Sequence, residues 1–147
     1  MSVPVNQRSH GKLEAYSKAY ELATYTIKIT SNKKIFTEEY QEALTDKIIS
    51  ASLDIYLLAG EANDISVRTA DDEQNYHDRI RIQTEAHRKC GELSRLILLA
   101  KPIFHLSAKR VKYWSQLVKD TRTLIKAWSD SDKKRFKHLF EDTRDIG

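Results

Sequence analysis

The stretch "ALTDKIISASLDIYLLAGEANDIS", Ala43–Ser66, decides the fold class. Its apolar residues Leu44, Ile48, Ala51, Ile55, Leu58, Ala62 and Ile65 recur at alternating spacings of three and four, the stripe of an α-helix rather than the two-residue period of a strand. With its flanks, the segment predicts a helix from Glu38 to Ile65, about 28 residues and about 42 Å long at 1.5 Å per residue. Beside the stripe stand Ile49, Leu53, Tyr56 and Leu57. A helix apolar on two sides is deeply buried or covered by another subunit. In a chain of 147 residues the second is expected, so these four form the candidate oligomer interface. Gly60 costs about 1 kcal/mol relative to alanine inside a helix, a loss that is offset if its missing side chain lets a neighbouring helix approach closely. Asn63, Asp64 and Ser66 then fall in the last turns, where short polar side chains satisfy free backbone groups.

Three other segments carry the same period. They are Leu13, Tyr16, Tyr20, Ala23 and Ile27; then Ile82, Ala86, Leu93, Leu96 and Ala100, with Tyr76, Ile80, Cys90 and Ile97 nearby; then Val111, Trp114, Val118, Thr121, Ile125 and Trp128. Both tryptophans lie on the stripe and read as core. Thr37, Thr69 and Ser107 stand where helix N-caps are needed, and Asp71, Asp72 and Glu73 put negative charge on the positive end of the third helix. Pro102, in "KPIFHLS", is expected to mark the third turn, because proline cannot continue the backbone ladder. Short links between long helices favour antiparallel neighbours, so the predicted fold is all-α, an up-down-up-down four-helix bundle with crossings of about 20°. The expected organisation is a flexible N-terminal tail at 1–11, the bundle at 12–129 and a C-terminal extension at 130–147. That extension reads as a short extra helix, with Phe136, Leu139 and Phe140 on one side, or as a tail.

Little in the chain carries covalent chemistry. Gly11, Gly60, Gly91 and Gly147 are too scattered for a phosphate-binding loop, and the Glu-x-x-His pairs of metal-binding bundles do not occur. His87 and Cys90, three apart, make one metal-like pair without a second, and a lone cysteine excludes an internal disulfide. No histidine is placed beside a serine or the cysteine by sequence, and Glu73 with His77 reads as a surface pair. The chain is therefore read as a non-enzyme with no cofactor and no metal site, the competing enzyme reading being confined to His87 and Cys90. The N-terminus "MSVPVNQRSHGK" lacks the apolar segment of a secretory signal, and no apolar run nears the length of a membrane span. A cytoplasmic protein without a membrane partner is expected.

The formal net charge is only +4, but it is unevenly placed. From Arg79 to Lys112 nine basic residues face two acids, Glu85 and Glu92, a local excess of seven that leaves the remainder net negative by three. A basic segment in a near-balanced protein is the footprint of a polyanionic partner. Arg95, Lys101, Lys109, Arg110 and Lys112 form one candidate nucleic-acid-binding cluster, where the third helix meets the fourth. Arg79, Arg81, Arg88 and Lys89 form another, nearer the opposite end. Lys33, Lys34 and "KKRFKH" are positioned to extend the surface, and Tyr113, off the stripe beside Lys112, is the candidate base-stacking residue.

Taken together, "LEAYSKAYELA", "ALTDKIISASLDIYLLAGEANDIS", "ADDEQNYHDRIRI" and "KPIFHLS" resemble the accessory variability determinant family, Avd, of diversity-generating retroelements. The resemblance spans Leu13 to Trp128, and its most specific element is Leu58, Ala59, Gly60, Asn63, Ile65 and Ser66 followed by Ala70 and Asp71. It implies a homopentameric barrel of four-helix bundles that associates with a reverse transcriptase and its template RNA. Such a protein supports mutagenic cDNA synthesis without performing the polymerisation. Arg79 sits where relatives can carry a basic residue. The chain departs from the family in its modest net charge and in the segment after Trp128. That family is itself similar to the 23S rRNA intervening-sequence proteins, so the alternative is a bundle scaffold or RNA-binding protein without a polymerase partner.

Overall fold

Each of the four segments has one apolar stripe to bury, and in the computed structural model they bury them against one another. The structure describes residues 10–146, with side chains from residue 14 to residue 140. Helices α1 (His10–Thr30), α2 (Asp46–Asp64), α3 (Glu73–Ile103) and α4 (Ala108–Ile146) account for most of it, and no strand occurs among the described residues. Each helix packs on its neighbours in sequence, and α4 closes on α1. Cross-helix pairs run in opposite order, Arg79 with Asp132 and His87 with Arg122 between α3 and α4, and Arg79 with Ile65 and Lys89 with Asp54 between α3 and the α2 side. Tyr16 with Tyr56 joins α1 to α2, and Tyr25 with Tyr113 joins α1 to α4. The architecture is an all-α, antiparallel four-helix bundle. One end, the head, holds the α1–α2 and α3–α4 links; the other, the foot, holds the α2–α3 link and the end of α4.

The fourth stripe is buried throughout, from Val111 to Trp128. At the head, Trp114 donates from Nε1 to Thr26 Oγ1 at 3.0 Å, and Phe36 packs between Phe104 and Trp114 at centroid distances of 4.8 and 6.2 Å. The first helix departs from expectation. Its buried line is Ala15, Ala19, Leu22, Ala23, Thr26 and Thr30, whereas Tyr20 and Ile27 are exposed and Tyr16 is half-buried. Small side chains let α1 lie close to the core, and the bulky residues are rotated onto its shoulder.

The second helix opens with a 3₁₀ turn at Glu38–Tyr40 and a π turn at Gln41–Thr45 before regular α-helix begins at Asp46. The stripe residues Leu44, Ile48, Ala51, Ile55 and Ala62 are buried, Ser52 and Ala59 beside them are fully buried, and Leu58 is half-buried. Gly60 does not mark a forced close approach. A β-carbon there would lie 3.5 Å from Tyr16 Cε2, an ordinary van der Waals contact.

Two of the three predicted caps act through their side chains. Thr69 and Asp72 form a reciprocal capping box, and Ser107 Oγ accepts from the Arg110 backbone N–H at 3.1 Å. Thr37 makes no such bond. Pro102 does not end α3, which continues to Ile103. The helix stops instead because His105 adopts a left-handed conformation (φ 55°), turning the Leu106 N–H back onto the Lys101 carbonyl at 3.0 Å.

Residues 130–146 form neither a separate short helix nor a tail; they continue α4 without a break. Phe136 and Phe140 are buried and pack on Tyr76 at 6.0 and 5.0 Å. Of the expected tail at 1–11, His10 and Gly11 begin α1, and residues 1–9 lie outside the described residues.

Candidate nucleic-acid interface

The nine basic residues expected to contact nucleic acid do not form one surface. Arg79 is 5% exposed, and its Nε donates to Asp132 Oδ2 at 2.7 Å while Nη1 donates to the Ile65 carbonyl at 2.9 Å. Its guanidinium lies 5.4 Å from the Trp128 ring centroid, and Gln83 Nε2 also donates to Asp132 Oδ2 at 2.7 Å. Arg79 thus ties α3 to α4 and closes the end of α2. A guanidinium so enclosed is not presented to a phosphate. Sequence offered a signal in Asp132, an acid four residues beyond the buried Trp128 and hence on the same face of α4.

The middle of α3 is neutralised locally. Arg88 holds Glu85 through two bonds of 2.6 and 3.0 Å, which keeps that carboxyl below its usual range. Lys89 reaches Glu92 at 3.3 Å and Asp54 at 3.5 Å, and although burial pulls its ammonium down, these acids outweigh it and raise it. Arg81 is exposed and pairs with Asp78 at 3.6 Å.

At the head the situation is different. Lys101, Lys109 and Lys112 are exposed, Arg110 is half-buried, and none of the four has an ion-pair partner among the described residues. Arg95 is likewise exposed and unpaired, six residues down α3 from Lys101. The Ser107 cap fixes the first turn of α4, and with it the three cations beside the positive end of that helix dipole. Sequence reading missed Lys28, exposed in the last turn of α1, which the Tyr25–Tyr113 contact at 4.9 Å brings beside the start of α4. Burial pushes the Tyr25 hydroxyl up while the charge of Arg110 pulls it down, a mark of their proximity. Of the expected extensions, Lys33 is occupied by Gln41 and by Glu38 at 3.9 Å, whereas Lys34 is exposed. Farther down the α1–α4 seam lies a groove of about 660 Å³ lined by Glu14, Glu21 and Asp120 together with Lys18, so acids outnumber bases there. In "KKRFKH", Arg135 pairs with Asp132 at 3.4 Å and covers the Phe136 ring, while Lys133 and Lys134 are exposed at the foot.

The expected oligomer interface is partly open. Leu57 is 62% exposed, Ile49 and Leu53 are half-buried, and Tyr56 is half-buried with its hydroxyl 3.0 Å from that of Tyr16. Tyr20, 5.9 Å from Tyr56, and Ile27 enlarge this apolar face across α1. A second apolar patch, Leu98, Leu99 and Ile103, is exposed on the head half of α3 and was not anticipated.

His87 and Cys90 do not present a reactive pair. Burial first, then Arg122 and Lys126, pushes the imidazole down, and Arg122 Nε donates to His87 Nε2 at 3.2 Å. Burial pushes the Cys90 thiol up to about 12. Among the described residues no three His, Cys, Asp or Glu side chains gather as a metal site, and no helix is long and apolar enough to cross a membrane. Comparison with protein-family models, curated proteins and solved structures gives no match to any of them.

Proposed function

We propose that the chain is a non-catalytic, oligomeric accessory protein of a diversity-generating retroelement, acting in the cytoplasm. It binds the reverse transcriptase and its template RNA and so supports mutagenic cDNA synthesis. The observation that carries the nucleic-acid part is the group of unpaired cations at the head, Lys28, Lys101, Lys109, Arg110 and Lys112, set around one helix N-terminus. Cations without protein partners are free to displace the counterions of a phosphate backbone, which favours RNA binding with steep salt dependence and weak sequence preference. The resemblance of Leu13–Trp128 to Avd supplies the polymerase partner and the pentamer. Self-association draws further support from two apolar patches on different helices. Such a pair suits head-to-tail contacts that close into a ring, rather than a two-fold dimer.

Co-expression with the reverse transcriptase of a diversity-generating retroelement, and with its template RNA, tests the proposal. Capture of both at low salt, with light scattering giving the mass of a closed oligomer, is the expected result. RNA binding without the polymerase would favour the intervening-sequence type of scaffold. A monomer mass refutes the oligomer, and failure to bind either partner refutes the function.

A further inference from the structure

Tyr113 is a large aromatic residue 52% exposed in the middle of the head cations. It is not a loose surface ring. One side rests on Tyr25, with centroids 4.9 Å apart and planes inclined at 56°. Tyr25 in turn meets the edge of Trp114 at 6.2 Å, and Trp114 is fully buried and hydrogen-bonded to Thr26. A continuous aromatic ladder therefore runs from the core to the surface and supports one side of the outermost ring. Around it, Lys109 lies one helical turn back on the same face of α4, Arg110 three residues back, and Lys112 adjacent. Lys28, three residues beyond Tyr25, approaches from α1. A ring packed on one side and open to solvent on the other, beside cations that lack acidic partners, matches the components of single-strand recognition: a stacking surface and a phosphate clamp.

We propose that Tyr113 is a stacking platform for one unpaired base of a nucleic-acid strand whose phosphates are held by Lys109, Arg110 and Lys112. The inference rests on reading the head as a nucleic-acid surface and adds which form of nucleic acid it selects. In a duplex the base faces are already occupied by their neighbours, so only the phosphate contacts remain. A single strand gains the stacking contact in addition. An aromatic face accepts any base and does not touch the 2′-hydroxyl, so single-stranded RNA and DNA both qualify.

The test measures binding of the full chain to single-stranded RNA, single-stranded DNA and blunt duplex of matched length, at low salt. A strand carrying a fluorescent base analogue reports stacking by quenching. Tyr113→Ala should weaken single-strand binding by about fivefold to a hundredfold, the range for loss of one stacked base, abolish the quenching and leave duplex binding unchanged. Tyr113→Trp should preserve all three, which separates stacking from folding. Quenching with RNA alone or DNA alone upholds the platform and identifies its strand. Unchanged single-strand affinity and quenching in Tyr113→Ala overturn the inference while leaving the phosphate-binding reading intact, provided that Lys109→Ala with Lys112→Ala still weakens binding. Absence of binding to all three probes by the unmodified chain overturns the reading on which the inference rests.

Discussion

Replacing Asp132 with alanine removes the acceptor that holds three donors at the foot of the bundle. The carboxylate, 3% exposed, accepts from Arg79 Nε and Gln83 Nε2 at 2.7 Å each and from Arg135 Nη2 at 3.4 Å. Once it is gone, Arg79 keeps only the Ile65 carbonyl and the Trp128 ring, and a positive charge remains in a site closed to water. Gln83, fully buried, then loses the bond of its amide nitrogen as well; its Oε1 already has no hydrogen-bond partner. Removing one member of a buried ion pair costs about 3–5 kcal/mol, a large share of the 5–15 kcal/mol that stabilises an ordinary domain. Urea unfolding followed by circular dichroism should show that loss as a lowered midpoint with an unchanged slope. The double variant Arg79→Met with Asp132→Leu removes both charges and should recover most of the loss, because much of the cost is the stranded cation rather than the missing attraction. A cost below about 1 kcal/mol for Asp132→Ala, the range of exposed pairs, would refute the buried network. Because Arg79 does not face solvent, the double variant should also bind RNA as tightly as the unmodified chain.

Gly60→Ala should stabilise the isolated protomer by up to about 1 kcal/mol, since the helix gains propensity and the new methyl finds 3.5 Å to Tyr16; a raised Tm checks it. Asp72 is held below its ordinary value by the backbone N–H groups of Arg68 and Thr69, so its contribution is present above the unfolded carboxylate value, near pH 4. That contribution is lost as the pH falls through the lower folded value, and Asp72→Asn should flatten this acid limb in a pH titration of stability. Cys90, buried with its thiol pushed up to about 12, should resist thiol reagents at pH 8 and react only at the rate of global unfolding.

Much of the fold was legible because α2, α3 and α4 carry stripes whose large apolar residues point where the period says. On α1 the same rule misled. Tyr16, Tyr20 and Ile27 outweigh Ala15, Ala19 and Thr26 in hydrophobicity, yet the small residues face the core because α1 must lie close to α2 and α4. Pro102 was read as a stop, but the actual stop lies at His105, where a left-handed residue other than glycine leaves no sequence mark. The continuity of α4 past Trp128 was hidden by the charge of "SDSDKKRFKH", whose Asp132 and Phe136 nonetheless keep the helical period and face α3. Charge counting located the head cluster but also counted Arg79, because a formal charge carries no information about burial. It passed over Lys28, which joins the cluster only through tertiary packing of α1 on α4.

Salt dependence of RNA binding, compared between the unmodified chain and the triple variant Lys101→Ala, Lys109→Ala, Lys112→Ala, tests the head as the nucleic-acid surface most directly. For a single strand, log affinity should fall against log salt by about 0.7 per phosphate contact, so the variant's slope should be shallower by about 2 per bound protomer. Arg81→Ala with Arg88→Ala, whose cations are already paired to Asp78 and Glu85, should leave the slope nearly unchanged. An unaltered slope in the head variant, or a loss confined to the Arg81 and Arg88 variant, would contradict the assignment.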